Sequence, residues 1–227
     1  MKQKFTVLFD LDGTLVDTAP DLMRAHNHVM SKFGYPTKST EEIRNLLGQG
    51  AGAMLGRSIW GQAKKEFGKV QDEKIKKEMV KEFVEYYGNN IVNESKLIDG
   101  VKDFLIWSKE KKISMGVCTN KQEHLAIDLL KKIGIYDFFE YLSGHNKFDY
   151  CKPDPRHLTS VVEILGGDLK KTLMIGDSET DANAAKAAGI PVILLEDGYT
   201  EKNTTEIYHN HLIKDFIGIE KIVTKYL

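Results

Sequence analysis

Five short apolar runs, each ending in a polar or glycine-bearing turn, constrain this chain more than any other feature. They are Phe5–Phe9, Ile113–Cys118, the weaker Tyr141–Ser143, Thr172–Ile175 and Pro191–Leu195. Helical patterns alternate with the later four. Gln122–Ile133 is amphipathic and stopped by Gly134, and Asp154–Leu165 is opened by Pro155 and closed by Gly166-Gly167. Ser178–Ala188 is alanine-rich, and Ile217–Tyr226 reads as a C-terminal helix. Strands and helices in this order build a parallel, doubly wound sheet with right-handed crossovers.

The rhythm breaks between Thr18 and Lys96. This stretch reads as strandless, with helices expected over Pro20–Phe33, Thr40–Leu47, Ala51–Phe67 and Asp72–Tyr87. The expected organisation is therefore an α/β core from residues 1–17 and 97–227, interrupted by an all-helical domain over residues 18–96. The lysine-rich EKIKKEMVKEF run suits the wet face of a helix better than a binding patch.

Composition excludes several roles. With 32 Lys+Arg against 33 Asp+Glu the formal charge is -1, so no basic field points to nucleic acid. No apolar stretch approaches the ~18 residues a membrane span needs, and the N-terminal apolar run, broken at once by aspartates, is neither a signal peptide nor an anchor. The two cysteines, Cys118 and Cys151, have no CxxC partner and suit a reducing, cytoplasmic setting. The histidine pairs His26/His28 and His209/His211 lack ligand partners at metal-binding spacing and read as surface residues. Monomer and homodimer are both open.

In open α/β sheets ligands bind at the carboxyl ends of the strands. Those ends carry Asp10, Asp12 and Thr14 after the first run, Thr119-Asn120 after the second, Lys152-Pro153 after the third, and Gly176-Asp177-Ser178-Glu179-Thr180-Asp181 after the fourth. Aspartates from two strand ends form an oxygen-rich pocket suited to Mg²⁺, which relieves their mutual repulsion. Thr119, the helix start behind it and Lys152 suit the oxygens of a phosphate. An aspartate neutralised in this way can attack phosphorus, and a second carboxylate can carry the proton. Asp181 also reads as a solvated acid in the first turn of its helix.

These residues resemble the four motifs of the haloacid dehalogenase superfamily. DLDGTLVD resembles the first motif, Thr119 the second, Lys152 the third and GDSETD the fourth, in order and over essentially the whole chain. The resemblance implies a Rossmann-like core with a helical cap inserted after the first motif. It implies that Asp10 is the nucleophile, Asp12 the general acid/base, and Thr14 a support for the loop holding Asp12. Thr119 with the Asn120 region would bind the phosphoryl group, and Lys152 would stabilise its charge. Mg²⁺ would be held by the Asp10 carboxylate, the Asp12 backbone carbonyl and Asp177, with Asp181 supporting.

Within that family the resemblance implies that an acid at position 12 favours phosphate esters over haloacids or phosphonates. DTAPDL (Asp17–Leu22) and the Gly48-Gln49-Gly50 turn resemble the phosphoglycolate phosphatases. The expected function is hydrolysis of a small phosphorylated metabolite, phosphoglycolate first. A sugar-phosphate mutase shares the same core and is the alternative, and a non-catalytic phosphoryl-binding module is a third reading. Gln49 is expected to face the substrate, and Arg44 or Arg57 to meet a substrate carboxylate. Asp17 stands apart from the catalytic acids, where the chain leaves the core.

Overall fold

The computed structural model describes residues 4–60 and 70–227, without the side chains of residues 60 and 70–73. From β1 (Thr6–Phe9) the chain passes through the two-residue β2 (Val16–Asp17) into α1 (Ala19–Lys32), α2 (Thr40–Arg44), α3 (Ala51–Trp60) and α4 (Val70–Asn89). It returns along β3 (Lys96–Leu97), antiparallel to β2, and enters α5 (Val101–Glu110). Alternation then resumes with β4 (Ser114–Cys118), α6 (Glu123–Lys132), β5 (Tyr141–Ser143), α7 (Arg156–Ile164), β6 (Thr172–Gly176), α8 (Glu179–Ala188) and β7 (Val192–Leu195). The chain closes with β8 (His211–Ile213) and α9 (Glu220–Val223).

The main sheet is parallel throughout, in the order β5-β4-β1-β6-β7-β8. Its centre is buried on both faces, so its strands are continuously apolar instead of alternating. Val7 and Phe9 of β1 enter one apolar layer with Phe104 of α5 and Leu125 and Leu129 of α6. Leu8 points the other way, into a layer with Leu158 and Val161 of α7 and Ala182 and Ala185 of α8. Each of the buried valines, leucines and phenylalanines contributes about 1.5–3 kcal/mol, enough to outweigh the cost of ordering the side chain. In register, Phe9 sits opposite Val117 on one side and Ile175 on the other. That alignment brings the polar residues following β1, β4 and β6 to one edge.

Helix boundaries have local causes. Ser39 Oγ accepts from the Glu42 amide at 3.3 Å while the Glu42 carboxylate accepts from the Ser39 amide at 2.8 Å, a reciprocal start for α2. Gly134, with φ 80°, ends α6 as the sequence led us to expect. Asp21 in α1 is buried and accepts from the amides of Asn93, Glu94 and Ser95 at 2.8–3.1 Å, tying the outgoing segment to the returning one.

Several expectations change. A sixth strand, β8, extends the sheet where five were expected, and α5 and the β2–β3 pair were not foreseen. The expected helix over Ile217–Tyr226 is confined to Glu220–Val223 and a 3₁₀ turn over Thr224–Tyr226, because Gly218 adopts φ 80° and breaks the helical path. Of the expected helix Ala51–Phe67, residues 61–67 lie outside the described residues. His26 is fully buried, with Nε2 2.7 Å from Ser58 Oγ, so it is no surface residue. His28 is half-buried and pairs with Glu82 at 2.7 Å. Among the described residues, no helix is long and apolar enough to cross a membrane.

Candidate active site

Asp10 follows β1, and its amide donates to the Ile175 carbonyl of β6 at 2.9 Å, which fixes the carboxylate between the two strands. Lys152, from the segment between β5 and α7, places Nζ 2.9 Å from Asp10 Oδ1 and 2.5 Å from Asp181 Oδ1. Lys152 is 2% exposed, so its ammonium depends on these partners for the charge interactions it loses in leaving water. Asp181 is fully buried, which corrects its reading as a solvated helix-start acid. Its Oδ2 accepts from the amides of Asp177 and Ser178 at 3.2 and 3.1 Å and from Ser178 Oγ at 2.7 Å.

Asp177 lies at the end of β6. Its Oδ1 accepts from Thr14 Oγ1 at 3.0 Å and its Oδ2 from the Tyr199 amide at 2.7 Å. Gly13 has to be glycine here. Its φ is +82°, and a Cβ would lie 2.2 Å from Asp177 Oδ2. Asp10, Asp177 and Asp181 each offer an oxygen within 4.8 Å of the others. Burial pushes the Asp10 carboxyl up to about 6, with Lys152 opposing and Asp181 reinforcing the rise. Burial, then the charges of Asp181 and Asp10, push Asp177 well up.

Three carboxylates and one ammonium carry a formal charge of two negatives, an arrangement costly to bury without a cation. Asp10 Oδ1 is buried and makes no hydrogen bond of good geometry, although Lys152 lies at ion-pair distance. An all-oxygen set with an unused lone pair and excess negative charge fits a hard divalent ion such as Mg²⁺.

Asp12 stands on the turn after Asp10 and opens toward a cavity. Its Oδ1 accepts from Thr18 Oγ1 at 2.7 Å, and Lys121 Nζ lies 2.8 and 3.1 Å from its two oxygens. Thr119 is 1% exposed at the end of β4, and its amide donates to the Ser143 carbonyl at 3.0 Å. Asn120 Nδ2 donates to the carbonyls of Gly48 and Lys152 at 3.2 and 2.9 Å, so one side chain ties together the second motif, the third motif and the Gly48–Gly50 turn.

The cavity, about 410 Å³, has Asp10, Asp12, Thr119, Asn120 and Lys121 on its sheet side. Leu22 of α1, Met54 of α3, and Val80, Phe83, Val84 and Tyr87 of α4 form an apolar wall opposite, and Gln49 also lines it. Arg44 does not reach this cavity. It pairs with Asp17 at 2.7 Å, stacks 5.2 Å from the Tyr199 ring, and faces a separate cleft of about 640 Å³. Arg57 binds Glu201 at 3.3 Å and the Leu46 and Leu47 carbonyls, beside a neighbouring cavity.

Four positions escaped sequence reasoning. Lys121 follows the Thr119-Asn120 pair directly, and Tyr87 meets it from α4 at 2.9 Å. Tyr199 accepts from the Thr18 and Ala19 amides at 2.8 and 2.9 Å and donates to Asp17 Oδ1 at 2.6 Å, capping α1 from the core. His157 is buried, with Nε2 2.8 Å from Ser143 Oγ, and its Nδ1 accepts from the Lys152 amide at 3.3 Å. Burial and the Lys152 charge push its pKa down to about 4. A lysine directly after the Thr119-Asn120 pair was the one available signal; Tyr87 and Tyr199 depend on contacts distant in sequence, and His157 on the way the segment after β5 folds back.

Residues 7–195 match the family of haloacid dehalogenase-like hydrolases. The chain is 34% identical to a phosphoglycolate phosphatase of Mesorhizobium japonicum, over 92% of this chain and 90% of that protein. It is 36% identical to one of Caulobacter vibrioides, over 95% and 89%. A crystal structure from Haemophilus somnus, described as a predicted phosphoglycolate phosphatase, superposes with a TM-score of 0.87 at 31% identity, covering 98% of this chain and 99% of that one. A β-phosphoglucomutase of Clostridium difficile shares the fold, with a TM-score of 0.79 at 24% identity over 98% and 97%. The chain belongs to the haloacid dehalogenase-like hydrolases. Within that family it is a phosphoric monoester hydrolase, similar to the relatives named phosphoglycolate phosphatase.

Proposed function

We propose that this enzyme is a Mg²⁺-dependent phosphatase that hydrolyses a small phosphomonoester, phosphoglycolate first, through an aspartyl-phosphate on Asp10. The observation that carries this reading is the buried arrangement of Asp10, Lys152, Asp181 and Asp177, which gathers three carboxylates around a single ammonium.

Asp10 attacks phosphorus as the ester oxygen departs, and Asp12 gives that oxygen its proton. Asp12 then takes a proton from water as the water attacks the aspartyl-phosphate and frees the Asp10 carboxylate. Thr119, the Asn120 region and Lys152 bind the phosphoryl oxygens, while Thr14 steadies Asp177 through its hydroxyl. Mg²⁺ would be held by the Asp10 carboxylate, the Asp12 backbone carbonyl and Asp177, with Asp181 behind them, and when bound it supplies positive charge against the phosphoryl oxygens.

We assign residues 1–17 and 97–227 to a catalytic core and residues 18–96 to a cap that excludes water and selects the leaving group. Gln49 faces the substrate from the cap. Since Arg44 is held by Asp17 outside the cavity, Lys76 of α4, which lines it, takes the role of meeting a substrate carboxylate. A cytoplasmic setting suits the two unpaired cysteines.

Relatives named phosphoglycolate phosphatase at 34–36% identity support hydrolysis, whereas the mutase likeness is one of fold. Phosphate release across a panel of phosphometabolites, with and without Mg²⁺ and with Asp10→Asn as control, tests the proposal. Metal-dependent release from phosphoglycolate, lost in Asp10→Asn, is the expected result. Full activity in that variant overturns the covalent route, and transfer to a sugar phosphate without release favours the mutase.

A further inference from the structure

We propose that Lys121 is the positioning residue of Asp12, and that Tyr87 makes this positioning depend on the seating of α4 against the core. The inference rests on the phosphatase reading above and adds to it a link between two parts of the fold.

Lys121 is 8% exposed and Tyr87 1%. A buried ammonium has three N–H donors and needs a partner for each. Lys121 finds three acceptors, the Asp12 oxygens at 2.8 and 3.1 Å and the Tyr87 hydroxyl at 2.9 Å. All of these partners are protein groups. They separate Lys121 from Lys152, whose partners are the nucleophile and Asp181.

The lysine is itself anchored at both ends of its peptide unit. Its amide donates to Thr119 Oγ1 at 3.1 Å, and its carbonyl accepts from the His145 amide at 2.8 Å. Asp12 is thus gripped from β4's end as well as by Thr18 at 2.7 Å, which limits rotation of a carboxylate that still opens on the cavity. Proton transfer is sensitive to such placement, because donor and leaving oxygen must come within hydrogen-bond reach.

Tyr87 belongs to α4, the returning helix of the inserted segment. Its ring stacks on Phe83, with centroids 5.8 Å apart, and both form part of the cavity's apolar wall. When α4 sits against the core, Lys121 has its full set of acceptors. When α4 shifts outward, the lysine loses its Tyr87 acceptor and with it part of its hold on Asp12. The proton-carrying group is therefore in place when the leaving group is enclosed.

Leaving-group dependence tests this. Steady-state kinetics are measured for wild type, Lys121→Met, Lys121→Arg and Tyr87→Phe on 2-phosphoglycolate and on 4-nitrophenyl phosphate, whose phenolate departs without a proton. Lys121→Met is expected to lower kcat/KM, which reports the leaving-group step and not the shared hydrolysis of the aspartyl-phosphate, about 10²-fold on the alkyl ester, the scale of a general-acid contribution, and only a few-fold on the aryl ester. Lys121→Arg restores part of the loss. Tyr87→Phe, which keeps the ring and the packing, shows the same selectivity with a smaller amplitude, and carries the test if Lys121→Met does not fold. Equal losses of kcat/KM on both esters overturn the assignment. If wild type hydrolyses neither ester, the phosphatase reading falls first. An active wild type with an unchanged alkyl-to-aryl ratio in the variants overturns the role of Lys121 alone.

Discussion

Lys152 and Asp181 meet at 2.5 Å with neither side chain reaching solvent, and the same ammonium lies 2.9 Å from the Asp10 carboxylate. Asp181, four residues after Asp177 in the fourth motif, therefore sets the position of a lysine that arrives from the third.

Removing one partner of a buried ammonium costs up to about 3–5 kcal/mol, and less where a second carboxylate, here Asp10, stays beside it. Asp181→Asn keeps the shape of the side chain and removes its charge. It is expected to lower the unfolding free energy by ~3 kcal/mol in urea denaturation and to reduce turnover strongly, since Lys152 is then free to shift relative to Asp10. An unchanged denaturation midpoint would show that Asp181 does not hold Lys152.

His157 gives the protein an acid-side stability slope. Its folded pKa of about 4 lies below the ordinary value of 6.5, so the unfolded chain takes up a proton that the folded chain refuses. The unfolded state binds more protons across that window, so stability is full above pH 6.5 and falls as pH drops toward 4. At about 1.36 kcal/mol per pH unit, the loss reaches roughly 3 kcal/mol at most. His157→Gln, followed by urea titration at several pH values, is expected to flatten that part of the slope.

Mg²⁺ is expected to raise the thermal midpoint of the wild type, because a group that binds the folded state alone stabilises it. Asp177→Asn should abolish most of that rise. Gly13→Ala should do the same, since its Cβ would meet Asp177 Oδ2 at 2.2 Å and force the carboxylate away. Thermal melts against Mg²⁺ concentration check this without reference to turnover. Equal shifts in all three proteins would place the ion elsewhere.

Lys76→Met should raise KM for phosphoglycolate about tenfold while leaving KM for uncharged alkyl phosphates unchanged, the loss of one charged contact worth about 1.4 kcal/mol. Arg44→Met should not do so, because Arg44 faces Asp17 and the separate cleft. The reverse pattern would return the substrate carboxylate to Arg44.

The core of the fold was legible because its strands are buried on both faces, and an uninterrupted apolar run leaves a clear trace in the sequence. Asp10, Thr119 and Asp177 were legible for the same reason, since each directly follows such a run and the register aligns them. β8 was not, because His211–Ile213 is a half-buried edge strand of three residues with no apolar contrast. The short helix at the C-terminus was overestimated because a single left-handed glycine decides it. Lys121, Tyr87 and Tyr199 act through partners far away in sequence, which local spacing does not encode. Arg44 was one of many cations in a charged segment, and only its pairing with Asp17 shows where it points.

Borohydride trapping tests the central claim most directly. Enzyme quenched during turnover with Mg²⁺ and phosphoglycolate is reduced and digested, and the peptide carrying residues 5–18 is sequenced by mass spectrometry. An aspartyl-phosphate at Asp10 is converted to homoserine at that position, and this is the expected product, absent without substrate. Sustained turnover with an unmodified Asp10, or homoserine at Asp12 or Asp177 in its place, would contradict the account.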